Sequence, residues 1–225
     1  IVIDPQSPGS GSKVHVQCLT TNEPIQIKDP FSRSYFDDEK LISMEWYQYK
    51  DNGTQETMLL EFLRNKPAEQ KARPKFTVFE FWGLQINNVE VTDSAEYSAK
   101  FIHLSQDDVR RVNVVVARPP ALASERLSLT RKVNQNDKSV TLSCGQLSDL
   151  GSPPINILLK AENGTVLPTV YSNGAVEIVV SSNEADTSKF TCEIDLSAPA
   201  AICISSKDLP RWQGVITEPV KLQQS

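Results

Sequence analysis

Short apolar–polar alternations, separated by turn signals, recur along this chain. The alternating runs are rich in β-branched residues, and helical periodicity is scarce, so the pattern predicts an all-β chain. The candidate strands of the first half are Lys13–Leu19, Ile42–Tyr49, Thr57–Leu63, Lys75–Phe79, Gly83–Asn87, Ala95–Ile102 and Val109–Val116. Those of the second half are Leu127–Leu129, Ser139–Cys144, Asn156–Lys160, Thr165–Leu167, Ala175–Val180 and Lys189–Ile194.

A proline pair interrupts this pattern near the middle, in Arg118-Pro119-Pro120. Two successive prolines cannot continue a strand ladder, and they stiffen the chain. The chain has 225 residues, which suits two domains of ordinary size. We therefore predict domains at 1–117 and 121–225, joined by a short semi-rigid linker at 118–120.

Composition and motifs exclude several classes of function. The net charge of −5 does not suit binding to nucleic acid or direct contact with an anionic membrane. His15 and His103 lack a nucleophile or carboxylate partner in the sequence, and the four cysteines show no C-x-x-C spacing. A Gly-rich phosphate loop and an EF-hand are missing as well. We therefore expect neither an enzyme nor a cofactor or metal site.

Two sequons point to an oxidising, extracellular setting. Asn52-Gly53-Thr54 and Asn163-Gly164-Thr165 both match the acceptor pattern for N-glycosylation. Both begin with Asn-Gly, a dipeptide that favours exposed hairpin turns. We therefore predict glycans at Asn52 and Asn163.

The second half resembles the immunoglobulin superfamily. The residues that carry the resemblance are Cys144 and the run Asp186-Thr187-Ser188-Lys189-Phe190-Thr191-Cys192. In that family a cysteine of strand B pairs with one of strand F across two sheets, over a tryptophan of strand C. The resemblance implies a Cys144–Cys192 disulfide, with Phe190 at the tyrosine-corner position and Leu159 at the tryptophan position. The segment from Cys144 to Pro154, with Cys203 downstream, also looks similar to immunoglobulin domains of molluscan surface and secreted proteins.

The first half resembles a variable-type domain of the same family. It has Trp46 in Met44-Glu45-Trp46-Tyr47-Gln48, and a later run, Leu84–Val89, that leads into Asp93-Ser94-Ala95-Glu96-Tyr97. Arg73 stands where the variable-type arginine pairs with this aspartate, so the resemblance implies an Arg73–Asp93 ion pair at the base of the sandwich. The two halves together imply two immunoglobulin-like β-sandwiches in tandem.

The first half departs from the family in its cysteines. Ala99 holds the strand-F cysteine position, so Cys18, placed on strand B by the resemblance, has no partner within its own half. One interpretation is a buried thiol that packs against Trp46. Another is a disulfide to Cys203, which requires Cα atoms within about 7 Å. Cys203 could also join two chains if it is exposed. The pairing of Cys18 and Cys203 stays open at this point.

The connection from about Thr20 to Leu41 is a candidate recognition loop, because it is longer than the family needs between strands B and C. It contains aromatic residues and an arginine of the kind that dominates binding energy. These residues are Phe31, Arg33, Tyr35 and Phe36. The alternative is that the aromatics fold back and plug the end of the sandwich.

A second candidate surface is the outer face of the sheet that contains strands C and F. If Trp46 points inward, strand alternation points Glu45, Tyr47 and Tyr49 outward. Ser98, Lys100 and Ile102 share that side on the neighbouring strand. The alternative is an ordinary amphipathic sheet surface.

These observations predict an extracellular recognition or adhesion module, cell-surface or secreted. We expect its first domain to bind a protein partner, either a second copy or another protein, with a glycan as a further option. The second domain is expected to be a spacer, because its segment Gly145–Ile155 is short and has no aromatic residue. The alternative function is the N-terminal immunoglobulin region of a secreted innate-immune protein of the lectin type.

Overall fold

The computed structural model describes residues 2–5, 13–19, 23–31, 41–50, 54–64, 69–70, 74–134, 136, 138–187 and 189–216. The chain divides into two compact units, Ile1–Ala117 and Arg118–Ser225. Each unit is a pair of packed β-sheets and is described on its own. Among the described residues, no helix is long and apolar enough to cross a membrane.

The first unit has ten described strands in two sheets. The strands are β1 (Val2–Ile3), β2 (Val14–Cys18), β3 (Ile25–Ile27), β4 (Leu41–Lys50), β5 (Gln55–Leu63), β6 (Glu69–Gln70), β7 (Phe76–Phe79), β8 (Gly83–Ile86), β9 (Ala95–His103) and β10 (Asp108–Ala117). One sheet has the order β1-β3-β8-β7, and the other has the order β2-β10-β9-β4-β5-β6.

The core of the first unit is built around Trp46, whose side chain is fully buried. Trp46 lies directly opposite Ala99 on the neighbouring strand β9, and the small alanine leaves room for the indole ring. The indole Nε1 donates a hydrogen bond of 2.7 Å to the carbonyl oxygen of Trp82, so the one polar atom of the side chain is satisfied. Ile25 and Ile27 of the facing sheet are also fully buried.

The strand that carries Cys18 is not in the predicted position. β2 pairs in parallel with β10 at the edge of the six-stranded sheet, with Cys18 opposite Ala117. The strand that pairs with β8 in the other sheet is β3. The prediction that Cys18 lies on strand B is therefore wrong, because the resemblance assigns the strand by its cysteine, whereas strand pairing defines its position in the sandwich.

The state of the cysteines contradicts one of the two interpretations of Cys18. All four cysteines are among the described residues, and none is a free thiol. Cys18 is only partly buried and lies on the edge strand β2. The interpretation of Cys18 as a buried thiol against Trp46 is therefore wrong. Cys203 lies at the end of a 3-10 helix, Pro199–Cys203, and it is not a free thiol either.

The base of the first unit is closed by a network around Asp93. The Tyr97 hydroxyl donates to the Asp93 carbonyl oxygen at 2.7 Å, and it accepts from Gln48 Nε2 at 2.9 Å. The buried Asp93 carboxylate pairs with Lys75 Nζ at 2.7 Å and accepts from the Glu90 backbone N–H at 2.7 Å. The predicted partner Arg73 lies outside the described residues.

The second unit also has two main sheets. Its strands are β11 (Ala121–Leu122), β12 (Ser128–Asn134), β13 (Ser139–Gly145), β14 (Leu147–Asp149), β15 (Ile157–Ala161), β16 (Val170–Ser172), β17 (Ala175–Ser181), β18 (Phe190–Ile194) and β19 (Gln213–Ile216), with helix α1 (Ser182–Thr187) after β17. The sheet orders are β12-β13-β17-β16 and β15-β18-β19, with β11 and β14 forming a separate pair. The predicted strand Thr165–Leu167 is wrong, since this segment makes only an isolated bridge between Val166 and Lys160.

A disulfide between Cys144 and Cys192 joins the two main sheets of the second unit, with 6.0 Å between the Cα atoms. Leu159 lies opposite Cys192 and is fully buried, so it fills the space beside the disulfide. Arg118 exchanges both backbone hydrogen bonds with Ser152. The first residue of the predicted linker is therefore held by the second unit.

The Asp93 network predicts that Lys75→Met lowers the free energy of unfolding substantially. This change keeps an apolar stem but leaves the buried carboxylate without its cation, and we expect unfolding to become easier by about 1 to 3 kcal/mol. Chemical denaturation measures the difference.

The matched control is Lys28→Met. Lys28 pairs with Asp4 at 3.4 Å, but the side chains are 44% and 78% exposed, so the change should cost less than about 1 kcal/mol. Equal costs for the two variants would contradict a structural role for the pair at Asp93.

Candidate functional site

The candidate site is the outer face of the six-stranded sheet in the first unit. Tyr47 lies opposite Ser98, which lies opposite Arg111 on the next strand. In the adjoining row Tyr49 lies opposite Glu96, and on the other side Glu45 lies opposite Lys100. This surface is here called the tyrosine face. It is defined by six side chains: Glu45, Tyr47, Tyr49, Glu56, Glu96 and Arg111.

Hydrogen bonds fix the first tyrosine of this face. The Tyr47 hydroxyl donates to Glu45 Oε2 at 2.6 Å, and the Ser43 hydroxyl donates to Glu45 Oε1 at 3.0 Å. The Glu45 residue is buried, and both of its carboxylate oxygens are hydrogen-bonded. A buried carboxylate that is satisfied in this way holds the Tyr47 ring in one orientation.

The second tyrosine is held from two sides. Its hydroxyl donates to Glu56 Oε1 at 3.0 Å, and its ring lies 6.3 Å from the ring of Tyr47. The Arg111 guanidinium lies over the Tyr49 ring with Cζ 5.8 Å from the ring centroid, a cation–π contact. Arg111 also pairs with Glu96 at 2.9 Å.

Burial raises the pKa of both phenols on this face. For Tyr47 the hydrogen bond to Glu45 adds to the effect of burial. Both hydroxyls therefore stay protonated and act as hydrogen-bond donors at physiological pH. The two rings are half-buried, which leaves part of each available to a partner.

Lys100 lies on the same side of the sheet, where it forms an ion pair of 3.7 Å with Asp107. Of the predicted binding residues, the structure thus brings Tyr47, Tyr49 and Lys100 to one face. Arg33, Tyr35 and Phe36 lie outside the described residues.

Phe31 is a core residue and not a surface residue. Its side chain is 7% exposed, and its ring centroid lies 5.0 Å from that of Phe101 inside the sandwich. The Arg110 guanidinium lies 5.8 Å from the Phe31 ring centroid. The prediction of Phe31 as a binding residue is therefore wrong. Phe31 packs into the end of the sandwich, as the alternative interpretation of the loop aromatics expects.

Sequence reasoning missed three members of the tyrosine face, Glu56, Glu96 and Arg111. Alternation along β9 and β10 could have found two of them, because Glu96 is two residues from Ser98 and Arg111 is opposite Ser98. Arg111 belongs to a pair, Arg110–Arg111, that is too short to mark a basic patch. On this face Arg111 is distinguished by its contact with one aromatic ring, that of Tyr49.

Comparisons with known proteins find similar solved structures. No protein-family model matches the chain, and no curated protein sequence does. Among solved structures, bovine butyrophilin matches with a TM-score of 0.50 and 12% identity, over 93% of this chain and 94% of that one. The amphioxus IgVJ-C2 molecule matches with a TM-score of 0.46 and 18% identity, over 81% of this chain and 92% of that one. Murine CEACAM1b matches with a TM-score of 0.43 and 21% identity, over 70% and 80%.

The chain folds as two immunoglobulin-like domains in tandem. This confirms the predicted fold class and, at the level of fold, the resemblance to the immunoglobulin superfamily. In the first immunoglobulin-like domain, β5 and β6 extend the sheet next to β4, as in variable-type domains. The second immunoglobulin-like domain has a four-plus-three arrangement of strands, as in constant-type domains.

Asp29 is a further titratable residue of the first immunoglobulin-like domain that sequence reasoning missed. It follows β3, and its Oδ1 accepts a hydrogen bond from the Phe31 backbone N–H at 3.0 Å. Burial raises the pKa of Asp29 from its ordinary 3.8 to about 6. At neutral pH the carboxylate is thus ionised at a cost to folding.

The pKa of Asp29 predicts a stability that falls as the pH rises from about 4 to about 6, because the folded state holds the proton more tightly than the unfolded state there. Asp29→Asn should keep the hydrogen bond from Phe31 and remove the charge. We expect it to stabilise the protein at pH 7.5 by about 1 kcal/mol, allowing for solvent screening of this half-buried group, and to change little at pH 4.

Urea unfolding at the two pH values measures this. Asp4→Asn is the control, since the Asp4 side chain is 78% exposed and its effect should be small at both pH values. A stabilisation by Asp29→Asn that is the same at pH 4 and pH 7.5 would contradict the raised pKa.

Proposed function

We propose that this chain is an extracellular recognition module, and that the tyrosine face of its first domain binds a protein partner. The observation that supports this proposal most strongly is the pair of half-buried tyrosines, whose rings are fixed by hydrogen bonds and by Arg111. Aromatic side chains that are already ordered lose little entropy on binding, so they convert buried area into affinity efficiently.

The charges of the face favour a protein over a small ligand. Carboxylates at Glu56 and Glu96 flank the rings, and Arg111 supplies a cation on the same surface. A partner with both signs of charge is complementary to such a surface, and a second copy of this face carries both signs itself. An open sheet face also suits the flat interfaces that proteins form.

An extracellular setting has independent support in the second domain. The Cys144–Cys192 disulfide is stable in oxidising compartments. Asn163 is exposed in a turn, and its Oδ1 accepts from the Thr165 backbone N–H at 3.0 Å. At Gly164 the φ angle is +81°, and no atom lies within 4 Å of an added Cβ, so the acceptor turn is open to a modifying enzyme. Asn52 lies outside the described residues.

Removing the two tyrosine rings should weaken recognition strongly. We expect the double variant Tyr47→Ala, Tyr49→Ala to weaken binding by about 30-fold or more, the effect of a hot spot of about 2 kcal/mol. The measurement is self-association by sedimentation velocity over a wide concentration range, followed by a surface-binding panel of extracellular proteins.

Tyr171→Ala is the matched control, since Tyr171 is 47% exposed on β16 of the second domain. Each variant is first checked for unchanged thermal unfolding. Binding that survives the double variant and is lost with Tyr171→Ala would contradict the proposal.

The open turn at Asn163 predicts one glycan there when the chain is secreted from eukaryotic cells. Asn163→Gln should remove one glycan mass, and Asn183→Gln, at an exposed asparagine outside any sequon, should remove none. Intact mass spectrometry before and after glycosidase treatment measures both. An unmodified Asn163 in the secreted chain would contradict the prediction.

A further inference from the structure

The second domain has a cleft of its own, with a volume of about 340 Å³. It lies between the outer face of the three-stranded sheet and the segment 195–212, which connects β18 to β19. Leu158 of the sheet and Leu209 and Trp212 of the connection supply an apolar lining. Leu196, also in the lining, is 57% exposed although it is a large apolar side chain.

The other wall of the cleft is ionic. Lys160 Nζ pairs with the Glu193 carboxylate, and these side chains are 28% and 34% exposed. Asp195 Oδ1 accepts from the Ser197 backbone N–H at 2.9 Å and from the Ser197 hydroxyl at 2.6 Å. These hydrogen bonds hold the pKa of Asp195 below its ordinary value, so its carboxylate stays ionised.

The lining thus combines an apolar wall with two carboxylates, Glu193 and Asp195, and a single cation, Lys160. The excess of negative charge beside apolar side chains is complementary to a group with an apolar stem and a cationic end. Arginine has such a stem, and its planar guanidinium matches carboxylate oxygens better than an ammonium does.

We propose that this cleft receives an arginine side chain from a partner protein. The stem lies against Leu158, Leu209 and Trp212, and the guanidinium binds Asp195 and competes with Lys160 for Glu193. The second domain then contributes to recognition and is more than the spacer that its sequence suggested. This site is on the second domain and does not rest on the function proposed for the tyrosine face.

The test is a titration of the isotope-labelled full chain with small probes, followed by nuclear magnetic resonance. The probes are N-acetyl-arginine methylamide and its norleucine and glutamate counterparts. We expect saturable shifts at residues of the cleft with the arginine probe, at a dissociation constant on the order of millimolar for a ligand of this size. The norleucine and glutamate probes should bind at least about fivefold more weakly, because they lack the cation.

Two substitutions have opposite predicted signs. Lys160→Met releases Glu193 and should tighten arginine binding by about threefold or more, whereas Asp195→Asn should weaken it by about fivefold. If Asp195→Asn lowers the unfolding temperature, Glu193→Gln replaces it, and a similar loss is expected. The matched controls are Lys189→Met and Glu162→Gln, an exposed pair of 3.7 Å that does not line the cleft; neither should change binding.

The proposal is overturned by any of three results. The arginine probe could give no saturable shift at the cleft, or it could bind no better than the norleucine or glutamate probe. A Lys160→Met variant that binds the arginine probe more weakly would contradict the competition between Lys160 and the guanidinium for Glu193.

Discussion

The first domain depends on the burial of Trp46, opposite Ala99 on the neighbouring strand, between its two sheets. Residues 1–117 contain one cysteine, so no disulfide within the domain can join its sheets. A disulfide of that kind typically stabilises a domain by about 2 to 4 kcal/mol. Full burial of Trp46, Ile25 and Ile27 provides an apolar contact between the sheets where the covalent bond would be, and Tyr97 anchors β9 to the base through Asp93.

The position of the tyrosine face follows from this packing. Side chains alternate along a strand, so a shift of one residue between β4 and β9 would carry Tyr47 and Tyr49 inward and Trp46 outward. The buried indole excludes that shift, because its exposure would cost several kcal/mol. The same contact that holds the domain together therefore orients the surface that we propose for recognition. The second domain has its disulfide as an additional constraint. It also contains a long connection between β18 and β19.

Much of this structure follows from local sequence patterns. Alternation around Trp46 predicts an outward Tyr47 and Tyr49, and the run from Asp93 to Tyr97 carries the resemblance to a variable-type domain. Pairing between distant segments is not contained in such patterns, and the family resemblance, which rests on one cysteine here, does not supply it for the strand of Cys18. β3 has only three residues, Ile25–Ile27, too few to show a periodicity. Phe31 was assigned to the surface because its burial depends on Phe101, 70 residues away in the sequence.

The cleft of the second domain could not have been predicted at all. Its lining combines β15, β18 and a connection with no regular period, and the excess of carboxylates appears only when these are brought together. The tyrosine face is intermediate: the rings were predictable, and their restraint by Glu45, Glu56 and Arg111 was not.

Nuclear Overhauser contacts between backbone protons of β4 and β9 measure the pairing of these two strands. We expect cross-strand contacts for Trp46 with Ala99, Tyr47 with Ser98 and Tyr49 with Glu96. Contacts displaced by one residue, such as Trp46 with Ser98, would contradict this pairing, because the tryptophan and the two tyrosines would then exchange faces.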